Sequence, residues 1–313
     1  MKKHPLSFKS DILRQRILAT GLVLMGLLAA PSFPAYAANK ITLSNPRNTS
    51  VMTQDLPLFY RELVAFDTNT HGKLAFPEVP PSFRFAAQTN IVPILVHEAG
   101  LASRSYPLVF IPGQEGQAPI LAVMVGVGDN LNRFVDADGK WRQGAYIPAW
   151  VRRYPFIAVR PQDAQEPMLA IDPQAEWVKS GGGEPFVGTD GKATPRLQRV
   201  LDFQREFQIF AERTEAIAKA LMDAGVLEEG TLRIEPPQAD KAGEAREIKG
   251  FLLVSETKLK ALSDEALLKL FKADALGLAY IQLISMGSLP NLIEPEALAQ
   301  AAPSGASKNK PKK

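Results

Sequence analysis

The stretch TPRLQRVLDFQREFQIFAERTEAIAKALMDAG, from Thr194 to Gly225, has the periodicity of one long amphipathic helix. Thr194 is a good N-cap, and Pro195 suits the first helical position, where its missing N–H is not needed. Gly225 can adopt the left-handed conformation that ends many helices. Between these ends, apolar or semi-apolar residues recur at spacings of three and four, at Val200, Phe203, Phe207, Phe210, Thr214, Ile217 and Leu221. The pattern predicts a helix packed on a sheet of the same chain, with a coiled coil as the alternative.

The chain before this helix contains short apolar runs bounded by turn residues. These runs are NIVPILV (90–96), YPLVFIP (106–112), PILAVMVGVG (119–128), FIAVR (156–160) and MLAID (168–172). Their length and β-branched content are typical of strands. DADG (136–139) is predicted to be a hairpin turn, in which Gly139 supplies a positive φ. Residues 56–66 fit either a strand or a short helix, and the half as a whole is predicted to be antiparallel β.

The chain after the long helix contains one more strand and one more helix. IKGFLLVS (248–255) has the composition of a strand, and Ser263 can cap a final helix that extends to about Met286. The predicted fold class is therefore α+β, with an antiparallel β-rich N-terminal half packed with long amphipathic helices of the C-terminal half. Because no clear linker divides the middle of the chain, residues 56–298 are predicted to form a single domain.

Both ends of the chain differ in composition from this domain. Residues 1–37 combine early basic residues, an apolar run of 14 residues (17–30) and the small-residue site AYA (35–37), which together predict a signal peptide. The apolar run is shorter than the roughly 20 residues that cross a bilayer, so export is favoured over a retained membrane anchor. Residues 38–55 are predicted to be an extended lead-in, and residues 299–313 a disordered, lysine-rich tail. Contact of this tail with anionic lipid or glycan is the alternative.

The net charge of +3 is unevenly distributed along the chain. The first 37 residues hold five basic residues and one acidic residue, a contribution of +4, so the exported chain carries −1. Four lysines in SGASKNKPKK (304–313) contribute another +4, so the folded part carries about −5. A mildly acidic body argues against nucleic acid as a partner.

The chain has no cysteine, so disulfides, thiolate nucleophiles and zinc-thiolate sites are excluded. GVGDN (126–130) lacks the third glycine of a dinucleotide-binding loop, and HEAGL (97–101) has Leu101 where a zinc protease has its second histidine. We therefore predict no cofactor, and the sequence identifies no catalytic residue. After removal of the signal peptide only His71 and His97 remain as histidines. These two with a carboxylate such as Glu98 or Asp129 are the alternative, a two-His-one-carboxylate metal site, for which Glu98 is the first candidate.

The stretch AYIPAWVRRYPF (145–156) combines aromatic, arginine and proline residues. The prolines limit any helix to about two turns, with Pro148 suited to its first position. On such a helix Trp150 shares a side with Arg153 and Tyr154, whereas Arg152 points elsewhere. An aromatic ring beside a guanidinium can bind a sugar, a carboxylate or a phosphate, so the predicted binding residues are Tyr146, Trp150, Arg152, Arg153 and Tyr154. The alternative is a structural corner, with Trp150 and Phe156 in the core and the arginines bonded to loop carbonyls.

Four blocks of the chain, in this order, resemble the SapC family of bacterial proteins. They are FRFAAQTNIVPILVHEAGLASRSYPLVF (83–110), VGDNLNRFVDADGKWRQGAYIPAWVRRYPF (127–156), GKATPRLQRVLDFQREFQIF (191–210) and IKGFLLVSETKLKALSDEAL (248–267). The similarity extends from about Leu56 to Leu292. The family takes its name from a surface-layer-associated protein, and the resemblance implies no catalytic residue and no cofactor. It also implies a protein that begins near Leu56, so the signal peptide and lead-in are a departure that favours a role in the envelope.

These observations together predict an exported, non-catalytic protein of the periplasm or cell surface. Its predicted partner is an envelope or surface-layer component, either glycan or protein, whose assembly it assists. The alternative is an envelope enzyme that acts on a glycan or peptide, with a metal held by His71 and His97.

Overall fold

The computed structural model describes residues 56–78, 82–128, 130–159, 167–180, 183–234 and 246–293. The predicted signal peptide (1–37), lead-in (38–55) and lysine-rich tail (299–313) lie outside these residues, so they stay predictions. The extent of the single domain predicted for residues 56–298 also stays a prediction.

The described residues contain strands of two to nine residues. They are β1 Val64–Ala65, β2 Leu74–Phe76, β3 Ile91–Pro93, β4 Leu108–Ile111, β5 Ile120–Met124, β6 Phe156–Val159, β7 Met168–Ile171, β8 Lys179–Ser180, β9 Glu184–Pro185, β10 Leu227–Ile234 and β11 Arg246–Val254. The α-helices are α1 Thr68–His71, α2 Ala99–Ala102, α3 Ala149–Arg152, α4 Pro195–Asp223, α5 Glu256–Lys260, α6 Asp264–Lys272, α7 Ala275–Ser285 and α8 Pro290–Ile293. Short 3₁₀ turns lie at Arg84–Ala86, Val96–Glu98 and Met286–Ser288.

The largest sheet has five strands in the order β10-β11-β4-β5-β3, and every neighbouring pair is antiparallel. β4 and β5 are apolar and almost entirely buried, as expected of central strands covered by helices. α4 packs against β5, and α7 packs against β4 and β11. Strands and helices in these positions confirm the predicted α+β class with antiparallel sheets.

Two smaller antiparallel sheets, β1-β7-β6 and β8-β2-β9, surround a second hydrophobic core. Its centre is a group of phenylalanines: the ring of Phe186 lies 4.5 Å from that of Phe76 and 5.4 Å from that of Phe156. Aromatic pairs at these separations add to the free energy of burial. These sheets carry β6, the strand that follows the proline-bounded stretch 145–156.

Helix α4 connects the two cores. Leu197 near its start is buried in the smaller core, and Leu221 near its end is buried in the larger one. Between them Phe207 packs with Leu95 and Ala149 in a third, small cluster. The predicted helix and its N-cap are confirmed, since Thr194 accepts a hydrogen bond from the backbone of Leu197. The helix packs on a sheet of its own chain, as the first of the two predictions states.

Several elements differ from the sequence-based predictions, and short elements such as α5 were not predicted. The final helix is interrupted at Asp274, whose left-handed backbone (φ 59°) separates α6 from α7. The run 90–96 supplies only three strand residues and then turns into 3₁₀ helix. β10 was not predicted, because an edge strand with solvent-exposed Glu228 and Glu229 has too few apolar residues to show an alternating pattern. The predicted hairpin turn is confirmed: Gly139 has φ 78°, and its N–H bonds to the carbonyl of Asp136.

Candidate functional site

The stretch 145–156 forms one helical turn, α3, rather than the two turns that were allowed. Pro148 is its N-cap and not its first helical residue, because its ψ of 145° is extended. Arg153 is the C-cap, and β6 begins at Phe156 directly after Pro155. A residue before proline is disfavoured in helical conformation, which explains why α3 ends here.

Glu98 is a buried carboxylate that organises the start of α3. Its Oε1 accepts hydrogen bonds from the backbone N–H of Ala149 at 2.6 Å and from the Tyr146 hydroxyl at 2.8 Å, and its Oε2 accepts one from Leu95 N–H at 2.8 Å. The side chain of Glu98 has no solvent exposure, so these donors take the place of water. Burial and the nearby Glu98 charge raise the pKa of Tyr146 to about 12. Glu98 is thus a structural acceptor, with both oxygens in use.

Arg152 completes this network from the solvent side. Its Nη2 lies 3.6 Å from Glu98 Oε1 and donates to the Tyr146 hydroxyl at 3.2 Å, and its Nε donates to the carbonyl of Ile147 at 3.0 Å. The Arg152 side chain is 42% exposed, so it can meet a ligand without leaving Glu98. The structure therefore brings together Tyr146 and Arg152 of the predicted binding residues with Glu98 of the alternative metal site.

The structure does not assemble the alternative metal site. His71 stacks on Phe66 and accepts a hydrogen bond from Asp67 N–H through Nδ1. His97 lies against the ring of Phe210 with 3.9 Å between centroids, and burial lowers its pKa. Within the described ranges, no group of three or more His, Asp or Glu side chains is placed to hold a metal ion. His71, His97 and Glu98 thus have different local roles in the described structure, and Asp129, the other candidate carboxylate, lies outside the described residues.

Arg153 is a buried cation held by aromatic rings. It is 6% exposed, and its Cζ lies 3.5 Å from the centroid of Trp150 and 4.6 Å from that of Phe207. Its Nε and Nη2 have no hydrogen-bond partner in the described part of the chain. Burial lowers the pKa of Arg153 to about 10. Cation–π contacts stabilise the charge, but they leave the donors of these two nitrogens without acceptors.

Tyr154 is part of the smaller core. Its ring stacks on Phe85 at 4.1 Å, and burial raises its pKa. Phe156 is buried as well, with 3% exposure, while Trp150 is half-buried against Phe207. The structural-corner reading of the stretch therefore describes Tyr154 and Phe156. That alternative also expected the arginines to bond to loop carbonyls. Arg152 does so, whereas Arg153 is held by aromatic rings.

A cavity of about 340 Å³ lies between this stretch and the N-terminal part of α4. It is lined by Phe76, Pro77, Arg152, Arg153, Tyr154, Pro155, Phe156, Trp177, Arg196, Arg199, Val200, Phe203 and Gln204. We call it the arginine cavity. None of these described lining residues is acidic, whereas four of them are arginine. Three predicted binding residues line the cavity: Arg152, Arg153 and Tyr154. Of the other two, Tyr146 accepts a hydrogen bond from Arg152, and Trp150 lies against the guanidinium of Arg153.

Arg196 and Arg199 were missed by the sequence analysis. They lie in the first turns of α4, where Arg196 has its Cζ 4.4 Å from the centroid of Phe76 and donates to the carbonyl of Pro77 at 3.4 Å. Arg199 is exposed and has no hydrogen-bond or ion-pair partner among the described residues. A helix N-terminus carries partial positive charge and favours acidic side chains. Two arginines there, with no acidic residue in the first turn, were a signal that the periodicity analysis did not use.

Gln204 anchors the cavity wall. Its Nε2 donates to the carbonyl of Phe156 at 3.1 Å, and its Oε1 accepts from Ala158 N–H at 3.3 Å. Both groups belong to β6, so this buried amide fixes α4 beside the end of the 145–156 stretch. The resulting wall offers guanidinium groups and aromatic faces, which bind anions and flat or ring-shaped groups.

The fold and the cavity define an α+β protein with an arginine-lined cavity. The SapC family model matches residues 66–292, and the chain belongs to the SapC family. No curated protein and no solved structure matches the chain. In the portion of the chain that the structure describes, no helix has both the length and the apolar character needed to cross a membrane.

Proposed function

We propose that this SapC-family protein is exported to the cell envelope, is non-catalytic, and binds an anionic surface-layer component or surface polymer whose assembly it assists. The basic, apolar and small-residue pattern of residues 1–37 supports export. The family's link to a surface layer supports the class of partner. Glycan and protein partners both remain compatible with it.

The arginine cavity is the observation that carries this proposal. Four guanidinium groups line it, and of these only Arg152 lies within ion-pair distance of a carboxylate in the described residues. Grooves and cavities of one charge sign attract ligands of the opposite sign. Its volume of about 340 Å³ is at the lower end of small-molecule sites, so it suits one residue or end group of a polymer.

Arg199 is the best position for a test of binding, because it is exposed and its side chain supports no other described residue. Substitution of Arg152 would disturb the Glu98 network, and substitution of Arg153 would change stability as well as binding, because Arg153 is buried among aromatic rings. The matched control is Arg104→Glu, the same charge change at an exposed arginine outside the cavity lining.

The experiment is co-sedimentation of the purified protein with isolated envelope fractions, after circular dichroism has shown that all variants are folded. We expect wild type and Arg104→Glu to sediment, and Arg199→Glu to remain largely in solution. Failure of the wild type to sediment would overturn the proposed function. If Arg199→Glu and Arg104→Glu sediment equally, the cavity is not the binding site for the envelope component.

A further inference from the structure

We infer that the arginine cavity is a phosphoryl-binding site, in which Arg153, Arg196 and Arg199 hold a phosphate group whose organic substituent packs against the aromatic wall. The inference rests on the proposed function and specifies the ligand chemistry of the same site.

The first argument is that Arg153, a lining residue of the cavity, has hydrogen-bond donors without partners in the described structure. Nε and Nη2, the two nitrogens without partners in the described structure, form one edge of the guanidinium plane. This edge can donate two parallel hydrogen bonds to two oxygens of one phosphate or carboxylate. Since Arg153 lines the cavity and is only 6% exposed, water is a poor substitute for such an acceptor. A small rotation of this edge toward the cavity would let one oxyanion accept a hydrogen bond from each of the two nitrogens.

The second argument is the charge at the start of α4. Arg196 and Arg199 place two cations near the positive end of a helix of 29 residues, which is unfavourable while the cavity is empty of negative charge. A bound anion would offset this repulsion, because both the guanidinium groups and the positive helix end attract it. This argument is independent of Arg153, which belongs to a different element.

The third argument selects phosphate over carboxylate. Arg153, Arg196 and Arg199 have no carboxylate within ion-pair distance in the described residues, so three cations are available to one ligand. A carboxylate carries one charge and two acceptor oxygens, whereas a phosphate monoester carries about 1.5 to 2 charges and three such oxygens. The phosphoryl group therefore matches the wall more completely. The rings of Trp177 and Phe203 leave an apolar surface for a sugar or other organic substituent.

The experiment is isothermal titration calorimetry of the purified protein with inorganic phosphate at fixed ionic strength, and acetate is the carboxylate used for comparison. We expect phosphate to bind and acetate to bind at least about tenfold more weakly. We also expect Arg199→Gln and Arg153→Met each to weaken phosphate binding at least about tenfold, and Arg104→Gln to leave it unchanged. Arg199→Gln changes an exposed side chain, so it remains informative even where Arg153→Met is poorly folded. Equal affinity for acetate, or phosphate binding that survives Arg199→Gln, would overturn the inference.

Two further titrations distinguish the sources of the phosphoryl group. Binding of glucose 1-phosphate more tightly than inorganic phosphate supports the site and assigns it to a phosphorylated sugar. Binding to vesicles that contain phosphatidic acid, but not to vesicles of neutral lipid, supports the site and assigns it to a lipid headgroup. If the protein sediments with envelope but binds acetate more tightly than phosphate, the phosphoryl inference is refuted and the proposed function stands. If it binds phosphate specifically but does not sediment with envelope, the proposed function is refuted and the phosphoryl inference stands.

Discussion

The backbone N–H of Ala149 lies 2.6 Å from Oε1 of Glu98, a residue 51 positions earlier in the chain. Pro148, the N-cap of α3, has no side-chain oxygen that could accept this hydrogen bond. A carboxylate from a remote 3₁₀ turn therefore does what a serine or aspartate N-cap usually does. Because α3 carries Arg152 and leads into Arg153, the arginine side of the cavity depends on a residue that does not line it.

Substitution of Glu98 tests this dependence. In the wild type, backbone and hydroxyl donors meet the carboxylate oxygens of Glu98. Glu98→Gln replaces one of these oxygens with an NH₂ group, which is itself a donor. We expect the free energy of unfolding to fall by about 2–4 kcal/mol, because at least one buried donor loses its acceptor and Arg152 loses its counter-charge. Urea denaturation measures this change. Glu115→Gln, at an exposed loop position, should change stability by less than about 0.5 kcal/mol; equal effects of the two substitutions would contradict the role of Glu98.

Arg153→Met should have the opposite effect on stability. The substitution removes a buried charge that has two nitrogens without hydrogen-bond partners, and it retains a flexible apolar side chain between Trp150 and Phe207. In phosphate-free buffer we expect the free energy of unfolding to rise by about 1 kcal/mol or more. Arg152→Met is the control and should be destabilising, because it takes away the ion pair and hydrogen bonds at Glu98 and Tyr146. A loss of several kcal/mol in Arg153→Met would show that the cation is a structural requirement.

The pH dependence of stability should contain a contribution from His97. Partial desolvation of this otherwise exposed side chain lowers its pKa, and Arg152 lowers it further, although Glu98 and Glu206 partly oppose this. The unfolded chain, with a histidine pKa near 6.5, then binds a proton before the folded chain does as the pH falls. The stabilisation is therefore complete above about pH 6.5 and is lost as the pH falls through the lower pKa of the folded state. An NMR titration of the imidazole should give a midpoint below 6.5, and His97→Gln should reduce the pH dependence of urea denaturation; a midpoint at or above 6.5 would contradict this.

Gln282 should be essential for the central sheet. Its Oε1 accepts from Val254 N–H at 3.0 Å and its Nε2 donates to the carbonyl of Leu108 at 3.1 Å, so a buried amide on α7 connects β11 to β4 where the two strands share one registered pair. Gln282→Leu leaves both backbone groups buried without partners. We expect a loss of about 2–5 kcal/mol in thermal or urea unfolding. Gln143→Leu, at an exposed position, is the matched control with an expected change below about 0.5 kcal/mol, and a similar change in both variants would remove Gln282 from this role.

Local signals were sufficient for much of the fold. The spacing from Thr194 to Gly225 predicts α4 and its cap, and the apolar runs around 108–111, 120–124, 156–159 and 168–171 predict four strands. Each of these depends on residues that are neighbours along the chain. The break at Asp274 was not predictable in this way, because a left-handed residue inside a continuous apolar pattern has no periodic signature.

The candidate site, like the fold, was only partly predictable from the sequence. From the sequence alone, the 145–156 stretch could be recognised as unusual and Arg152 and Arg153 named, because an aromatic and arginine-rich segment bounded by prolines is visible in the order of residues. Only the tertiary structure decided that Arg152 meets Glu98, that Arg153 is buried between aromatic rings, and that Arg196 and Arg199 line the same cavity. The physical reason is that hydrogen-bond partners and charge in a binding site are set by distances through space, and α4 is brought to α3 by the burial of Phe207 and Gln204, about fifty residues further along the chain.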